Sequence, residues 1–426
     1  MEVWTTVAEN IGSPCGRANT CCWDQGNFSV SRTECRTGTA SNSESRDFKN
    51  TPSNASKKST GKSNTTSKTN TTSTGNTSSP GNANGQGDAN TKETCQDSVV
   101  TMSEKLRVGV VGVGHLGQHH ARVYAELEEC QLVGVADVNP ERGNEIAQRH
   151  TTTFFEDYHD LFGKVDALSI AVPTEHHARV GLDCLSQGIH LLIEKPMTSA
   201  LAEADHLIEV AAANQAILQI GHTERFNAAV VKLAQMVEQP AFIESNRLSP
   251  FPERSTDIDV VLDIMIHDID IILSLVKSPV KKLDAVGIPV ITSKIDIANT
   301  RLEFEAGCIA NVTASRVSLK QERKLRIFQP EKYISLDYLA QALNVVELKH
   351  PERRYDFPNS RPTIVPYQVK IQKQEPLKAE LQSFVHCVQT KGIPVVSGID
   401  GRNALDVAFK ILQAMLTDRS NDKKKL

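Results

Sequence analysis

Apolar and polar residues follow one another in short blocks along residues 106–222, and each block has the period of one kind of element. Five runs rich in β-branched residues are typical of strands buried on both faces. They read "LRVGVVG", "QLVGVAD", "VDALSIAVP", "IHLLIEKP" and "AILQIGH", and segments with helical spacing separate them. Strands that alternate with helices predict a doubly wound parallel α/β sheet, which we place at residues 104–225.

Capping residues predict where two of these helices begin. In "NPERGNEIAQRH", Asn139 suits the N-cap position, and Pro140 suits the first helical residue because that position does not need an amide hydrogen. In "SALAEADHLIEVAAANQ", Ser199 is the predicted N-cap.

The pattern changes after residue 225. Longer strand-like runs follow, reading "KLDAVGIPVI", "NTRLEFEAGCIANVTASRV" and "KLRIFQPEKYISLDY", with a hairpin turn predicted at Gly307. Two helical segments close the chain, "LKAELQSFVHCVQTK" and "GRNALDVAFKILQAML". This half predicts an α+β C-terminal domain with a mostly antiparallel sheet over residues 226–426.

The first part of the chain has a different composition. Residues 51–90 contain no Val, Ile, Leu, Met, Phe, Trp or Tyr and consist mainly of Ser, Thr, Asn and Gly. Such a segment cannot bury enough apolar surface to offset its conformational entropy. Residues 1–103 are therefore predicted to be a disordered low-complexity tail.

The overall composition excludes several classes of protein. A net charge of −4 and a pI near 6.4 provide no basic surface for nucleic acid. No apolar run is long enough to span a membrane, and "MEVWTTVAEN" lacks the features of a signal peptide. Five of the nine cysteines lie in the first hundred residues with no zinc-site spacing, and Cys130, Cys184, Cys308 and Cys387 lie within apolar segments, as buried reduced thiols do. We expect a cytoplasmic protein with no membrane or nucleic-acid partner.

A glycine motif follows the first predicted strand. "GVGHLG" places Gly112, Gly114 and Gly117 in the pattern G-x-G-x-x-G at the start of a helix, with His115 and Leu116 between them. The glycines permit a tight turn, a close approach of the backbone to a pyrophosphate and close helix–strand packing. The helix N-terminus adds amide groups and a partial positive charge for phosphates.

Asp137 ends the second strand, twenty residues after Gly117. A carboxylate at this position is expected to accept hydrogen bonds from the ribose hydroxyls of a dinucleotide and to repel a 2′-phosphate. This favours NAD over NADP, although the nearby Arg142 leaves NADP open.

Three further strands are predicted to end at the same crevice. "AVPTEHH", "IEKP" and "GHTERFN" follow consecutive strands, and ligands of open α/β sheets bind beyond the carboxyl ends of the strands. Ionisable residues also interrupt the apolar helix predicted for "VVLDIMIHDIDIILSL" at 260–275. In a regular α-helix Asp263 and His267 lie about 40° apart, and Asp270 shares their face. This face either lines a wet cleft or pairs internally, and a metal site at these three residues is a weak alternative because no fourth ligand is evident.

The sequence resembles the Gfo/Idh/MocA family of NAD(P)-dependent oxidoreductases over residues 106 to about 417. The matching features are the glycine motif, Pro173 with His177, "EKP" at 194–196, Gly221-His222 with "RFN" at 225–227, Asp263-x-x-x-His267 and the closing "VSGIDGRNALDVAFKIL". The resemblance implies cofactor contacts at Gly112, Gly114, His115, Leu116, Gly117, Asp137, Pro173, Thr174, His177, Glu194 and Lys195. No metal is implied.

By the same resemblance Lys195, Asp263 and His267 form the catalytic set. Oxidation of an alcohol needs a hydride acceptor and a base, and histidine titrates close to neutral pH. Asp263 is expected to orient the imidazole, and Lys195 to stabilise charge on the reacting oxygen. Lys195 is an alternative base if its pKa is lowered by desolvation.

The stretch "NRLSPFPERSTDIDVVLDIMIHDIDIILSLV" most resembles the subgroup that oxidises C3 of UDP-N-acetylglucosamine in amino-sugar and lipid A synthesis. Substrate contacts are predicted at Arg225, Asn227, Arg247 and Arg254, since guanidinium groups suit a diphosphate, although nearby acids can also pair with them. The family resemblance also implies that the domain at residues 226–426 binds the substrate and mediates oligomerisation, as a homodimer or homotetramer. Three alternatives stay open: a polyol or free-sugar dehydrogenase, an NAD-cycling glycoside hydrolase or lyase, and a non-catalytic sensor that keeps the nucleotide half.

Overall fold

The computed structural model describes residues 22–24, 27–29, 105–251, 258–350 and 361–422. Strands β1 (Cys22–Asp24) and β2 (Asn27–Ser29) pair antiparallel as a unit by themselves. The rest of the predicted disordered tail at 1–103 lies outside the described residues. Within the described ranges, no helix combines the length and apolar character that crossing a membrane requires.

The first half of the remaining chain forms a six-stranded parallel sheet in the order β5-β4-β3-β6-β7-β8. Its strands are β3 (Leu106–Val111), β4 (Cys130–Ala136), β5 (Thr153–Phe155), β6 (Ala167–Ile170), β7 (His190–Glu194) and β8 (Leu218–Gly221). Its helices are α1 (Gly117–Glu126), α2 (Pro140–Arg149), α3 (Thr174–Ser186) and α4 (Leu201–Ala213). Successive strands are added on one side of β3 as far as β5 and on its other side from β6 onward, as in a Rossmann fold. This confirms the predicted fold class.

One of the two predicted helix caps is confirmed and the other is wrong. The Asn139 side chain accepts a hydrogen bond from the Arg142 amide at 3.0 Å, with Pro140 as the first helical residue. Helix α4 begins instead after Ala200, and the Glu203 carboxylate accepts hydrogen bonds from the amides of Ser199 and Ala200. The longer glutamate side chain reaches back over the first turn and replaces the predicted serine cap.

The second half forms an eight-stranded sheet in the order β10-β11-β12-β9-β13-β14-β15-β16. Its strands are β9 (Phe242–Leu248), β10 (Val280–Ile288), β11 (Ile297–Phe304), β12 (Ile309–Ser315), β13 (Glu322–Gln329), β14 (Lys332–Asp337), β15 (Ala342–Lys349) and β16 (Thr363–Gln368). All neighbours are antiparallel except β12 and β9, which confirms the predicted mixed α+β architecture. The predicted hairpin joins β11 to β12 through Gly307, whose φ of +87° favours glycine.

Four helices accompany this sheet: α5 (Ala228–Ala234), α6 (Ile266–Val276), α7 (Pro376–Thr390) and α8 (Gly398–Asp422). Helix α7 packs on the parallel sheet of the first half rather than on its own sheet. Its residues Leu381, Phe384, Val385 and Val388 share one buried apolar cluster with Val108, Val110, Ala121, Val123 and Tyr124. Ion pairs also join Glu375 to Arg122 and Lys378 to Glu126. A helix from the end of the chain therefore completes the core of the nucleotide-binding half.

The predicted helix at 260–275 is present, but its first turn is not α-helical. Val261–Met265 form a π-helical turn in which the Ile266 amide donates to the Val261 carbonyl, and α6 follows. The regular α-helix that was assumed for Asp263 and His267 is therefore not present over the first of these residues. Asp263 lies within the π turn and His267 lies two residues beyond its end, and such turns are frequent at functional sites.

Arg247 forms a buried ion pair on the inner face of β9. It is 4% exposed, and its guanidinium donates to Asp268 at 2.7 and 3.2 Å and to Glu224 at 2.9 Å. The guanidinium also lies over the ring of Tyr338 at 4.8 Å. This arrangement joins β9, α6 and the short 3₁₀ helix Thr223–Phe226.

Replacing Arg247 with methionine is expected to lower the free energy of unfolding by about 3–5 kcal/mol, because Asp268 would remain as an unpaired buried charge. Denaturant unfolding measures the change. Lys282→Met breaks the exposed pair with Asp284 and serves as the control, with little expected effect. Equal midpoints for the two variants would contradict the prediction.

Candidate active site

The glycine turn lies between β3 and α1 at the carboxyl edge of the parallel sheet. Gly112 has φ +83°, and a Cβ added to Gly117 would lie 1.8 Å from the Gly112 carbonyl oxygen, so neither position accepts a side chain. A Cβ added to Gly114 would meet no atom within 4 Å. Gly114 and the next two residues, His115 and Leu116, are exposed. The start of α1 is therefore open to the pyrophosphate of a dinucleotide.

Asp137 follows β4 directly, and backbone amides hold its carboxylate. The Val113 amide donates at 2.7 Å and the Asn139 amide at 2.9 Å. Arg142, which left NADP open, donates to the Val113 carbonyl, to Gln118 and to Glu145 at 3.1, 2.7 and 2.6 Å. Because Glu145 already balances the charge of Arg142, the negative charge of Asp137 favours the ribose hydroxyls of NAD.

The His177 side chain connects the turn that follows β6 to the turn that follows β7. Pro173 and Thr174 begin α3 after β6, and His177 lies one turn further on, 1% exposed. Its ring nitrogens lie 2.9 Å from the carbonyl oxygens of Pro196 and Val172. Burial lowers the pKa of His177. The ring thus positions the turns after β6 and β7, and these bonds do not support the predicted direct contact with a cofactor.

Glu194, at the end of β7, forms a buried pair that sequence analysis did not anticipate. Its carboxylate lies 3.0 Å from His120 Nε2 and accepts a hydrogen bond from the Lys195 amide at 3.2 Å. His120 is 1% exposed, and its partner could not be inferred from its place on α1. Burial opposes ionisation of Glu194, but His120 outweighs this and lowers the pKa of the carboxyl group. The pair fixes the strand end that carries Lys195.

Lys195 reaches from the parallel sheet to the π turn of the second half. Its ammonium donates to the Asp263 carbonyl oxygen at 2.7 Å and to the Asp263 carboxylate at 3.2 Å. The two side chains are 15% and 23% exposed. The predicted residues Lys195 and Asp263, which are far apart in sequence, are therefore in direct contact.

His267 follows the π turn and is partly exposed. Burial first, and then the positive charges of Lys195 and Arg247, hold its pKa well below the usual value. The imidazole is therefore neutral at pH 7, which is the form that accepts a proton. Its Nδ1 is buried and has no hydrogen-bond partner within the described part of the chain.

Among the described side chains, Asp263 makes no hydrogen bond to His267, the residue that it was predicted to orient. It binds Lys195 instead. Asp263 therefore positions the ammonium rather than the imidazole.

Two of the four predicted substrate residues, Asn227 and Arg247, are almost fully buried and are held by contacts within the protein. Asn227 is 2% exposed, caps α5 by accepting from the Ala229 amide and donates to the Tyr338 carbonyl. Arg247 is held in the ion pair with Asp268. Both arrangements argue against the predicted contact with a substrate, because these polar groups are already paired and buried.

The other two predicted substrate residues differ from these. Arg225 is 14% exposed, donates to the Val395 carbonyl at 3.1 Å and lies 3.5 Å from the Asp270 carboxylate. It lines a cavity on the side of α6 that carries Asp270. Arg254 lies outside the described residues.

Arg323 is a site residue that sequence analysis missed. It is directly opposite Arg247 in the β9–β13 register, on the same face of the sheet, and its side chain is 37% exposed. Burial and then Arg247 lower the pKa of Arg323, and its charge in turn lowers the pKa of His267. The residues "ERKLR" do not determine the register in which their strand pairs with β9. The position of Arg323 opposite Arg247 therefore could not be predicted from the sequence.

Comparison with known proteins matches both halves of the chain. The model "Oxidoreductase family, NAD-binding Rossmann fold" matches residues 106–222, and "GFO/IDH/MocA C-terminal domain" matches residues 241–334. UDP-N-acetylglucosamine 3-dehydrogenase of Acidithiobacillus ferrooxidans is 36% identical over 311 residues, 73% of this chain and 97% of the relative. Its solved structure has a TM-score of 0.67 over the same shares of the two chains.

Two further relatives extend the comparison. Myo-inositol 2-dehydrogenase of Thermotoga maritima is 25% identical over 334 residues, which are 74% of this chain and 98% of the relative. The structure of levoglucosan dehydrogenase, in complex with NADH and levoglucosan, shares the fold, with a TM-score of 0.65 and 18% identity over 74% of this chain and 98% of that one. Relatives of this kind are dehydrogenases of sugars and polyols. The two matched domains and the 36% identity over almost the whole length of a relative show that this chain is an NAD-binding oxidoreductase of the Gfo/Idh/MocA family.

Proposed function

We propose that this protein is an NAD-dependent dehydrogenase that oxidises the C3 hydroxyl of UDP-N-acetylglucosamine. The observation that carries the proposal is the contact of Lys195 with Asp263 beside the neutral, partly exposed imidazole of His267. Lys195 is the electrophilic group of this set and His267 is the base. The set lies at the carboxyl edge of the parallel sheet, where the glycine turn suits a dinucleotide.

The open backbone at Gly114 and the carboxylate of Asp137 fit NAD, which supplies the hydride acceptor when it is bound. His267 accepts the proton of the substrate hydroxyl, and its neutral form at pH 7 makes it ready to do so. Lys195 donates a hydrogen bond to the same oxygen and stabilises the negative charge that develops on it. Asp263 holds the ammonium in place through its carboxylate and its backbone carbonyl.

The nucleotide-sugar assignment draws on similarity and on charge. The relative at 36% identity acts on UDP-N-acetylglucosamine, whereas the myo-inositol dehydrogenase is 25% identical. Arg323 supports the same assignment, because its side chain is 37% exposed and it shares the Glu224 carboxylate, at 3.6 Å, with Arg247, so that donors of its guanidinium are left for an anionic ligand. We assign Arg323 to the diphosphate, a role for which the planar guanidinium is well suited. A place in amino-sugar and lipid A synthesis would follow from this substrate.

Replacing Arg323 with methionine is expected to raise KM for a UDP-sugar about tenfold or more, the loss of a charge-assisted hydrogen bond, with a small effect on kcat. Steady-state NADH formation measures both constants. Arg326→Met is the matched control, since Arg326 is equally exposed on the same strand but lies on the opposite face of the sheet, where it pairs with Glu244 at 3.2 Å. An unchanged KM in the Arg323 variant would remove the diphosphate from this position.

The proposal also includes an oligomeric state and a cellular compartment. The outer face of the second sheet carries exposed apolar side chains that suit contact with another copy, which supports a homodimer or homotetramer: Val286, Ile288, Phe328 and Ile364. Four described cysteines are buried and unpaired, as a reducing cytoplasm favours: Cys130, Cys184, Cys308 and Cys387.

The test is purified protein with NAD and a panel of UDP-sugars, free sugars and myo-inositol, followed by the absorbance of NADH. Net NADH formation with UDP-N-acetylglucosamine is the expected result, and product analysis should show a ketone at C3. Activity with myo-inositol alone would assign the chain to the polyol dehydrogenases. Turnover of a sugar without net NADH would indicate the NAD-cycling hydrolase or lyase alternative instead.

A further inference from the structure

A second histidine lies behind His267. His222 follows β8, is 1% exposed, and neither of its ring nitrogens has a hydrogen-bond partner among the described residues. Its ring centre is 6.2 Å from that of His267, with the two planes perpendicular. One bridging water molecule spans such a separation. A buried imidazole without protein partners needs an explanation, because leaving polar atoms unpaired is costly.

Asp270 continues this line of polar groups. It is one turn beyond His267 on α6, is 2% exposed, and its Oδ2 also has no partner among the described residues. Its negative charge acts on His222, and the charge of His222 acts on it in return. His267, which is partly exposed, and the buried His222 and Asp270 are therefore neighbouring proton-binding side chains, which we call the polar file.

The polar file ends at a cavity of about 610 Å³. Asp270 and Arg225 form one wall, and the remaining charged lining residues are Lys277, Asp400, Asp406 and Lys410. The predicted catalytic residues Lys195, Asp263 and His267 do not line it. The cavity is therefore an exit to solvent that is separate from the site where the substrate alcohol would lie.

The surroundings of His267 make such an exit useful. Its imidazolium form is disfavoured by burial and by the charges of Lys195, Arg247, His222 and Arg323. A proton taken from the substrate hydroxyl is therefore held weakly at His267. A bound substrate and nicotinamide would cover the open side of the ring, so the proton needs another acceptor.

We propose that His222 and Asp270 carry the proton released at His267 through the polar file to the cavity behind α6. This rests on the proposed dehydrogenase function. When NAD is bound, the electron pair of the substrate C–H bond would leave to it as hydride while the C–O bond becomes a carbonyl. The O–H proton moves to His267, and the opposite ring nitrogen of His267 gives a proton to His222. Asp270 takes this proton from His222 and releases it to water in the cavity. The charges facing the file are Arg225, Lys195 and Glu194 at His222, and Arg225 and Asp400 at Asp270.

The first test compares Asp270→Asn and His222→Gln with the wild-type enzyme at low buffer concentration. Steady-state turnover is expected to fall by about a hundredfold, the lower end of the contribution of a positioned proton-transfer group. The first turnover should still give a burst of NADH, because His267 can hold one proton. Added imidazole, which is small enough for the cavity, should restore turnover in Asp270→Asn and leave the wild type unchanged.

Asn403→Ala serves as the control, since it alters the wall of the same cavity without touching the polar file. Unchanged turnover in both file variants overturns the proposal. Loss of the burst together with failure of imidazole to restore turnover also overturns it, because both then indicate a structural role.

A second measurement does not depend on activity. Asp270 raises the pKa of His222, so Asp270→Asn is expected to lower that pKa in an NMR titration of histidine-labelled protein, with His222→Gln as the assignment standard. An unchanged His222 titration overturns the proton route even if the enzyme is active. A wild-type enzyme that forms no NADH with any alcohol would instead refute the proposed function, and the titration would still decide whether the file is coupled.

Discussion

Replacement of His267 with glutamine is expected to lower kcat for alcohol oxidation by about 10²–10⁴-fold, the usual contribution of a positioned general base. Glutamine keeps much of the size of the side chain but accepts no proton at neutral pH. NAD binding should be unchanged, because the glycine turn and Asp137 belong to the other half of the site. Steady-state NADH formation and a separate NAD titration measure the two effects.

The pH profile gives this prediction a second readout. The base form of His267 predominates above its pKa, which is held well below the usual value. In the wild type, kcat/KM should therefore stay level as the pH falls through 6.5 and decline only at clearly lower pH. The acidic decline should be absent from the residual activity of His267→Gln.

His176→Gln is the matched control, since His176 is exposed on α3. It should keep both the wild-type rate and the wild-type pH profile. A His267 variant that retains more than about a tenth of wild-type kcat would show that another group is the base. Lys195 would then be the next candidate.

Replacement of Lys195 with methionine is expected to lower kcat by about 10²–10³-fold, as measured for the loss of one donor to a developing oxyanion. Asp263 is 23% exposed, so water can solvate its carboxylate after the ammonium is removed and the fold should be kept. The free energy of unfolding and kcat, measured on the same sample, separate a catalytic loss from a structural one.

The pH dependence should also separate the two roles considered for Lys195. An electrophilic ammonium leaves the acidic limb of the profile to His267. Because the charge of Lys195 lowers the pKa of His267, Lys195→Met should keep that limb at a lower rate and shift it to higher pH. If the limb disappears, Lys195 is the base. Lys281→Met, an exposed lysine on β10, is the control and should match the wild type.

Much of the fold could be predicted from the sequence because local patterns determined it. The strands of the parallel sheet are buried on both faces, so each one is a continuous apolar run that stands out from the helices. Strands β15 and β16 gave weaker signals, since β16 is largely exposed and mixes polar with apolar residues. The short β5 contains only three residues, too few for a period to appear.

The candidate site was predictable where a motif coincides with a backbone constraint. Gly112, Gly117 and Asp137 have geometric roles that a sequence pattern states directly. Contacts between distant segments were not predictable in the same way. Arg323 lies opposite Arg247 because of the register between β9 and β13, which the sequence does not specify. Lys195 pairs with Asp263 in a π turn, and no residue in "VVLDIM" indicates that such a turn is present.

Helix α7 has a consequence for how the chain is assembled during synthesis. Its apolar residues complete the core of a sheet that was synthesised more than 150 residues earlier. A ribosome that has made only the nucleotide-binding half therefore presents a half-covered sheet, with Val108, Val110 and Val123 lacking part of their final packing. The nascent chain stays vulnerable to aggregation until its last segment emerges, and an excised fragment ending near residue 225 would remain in that condition permanently.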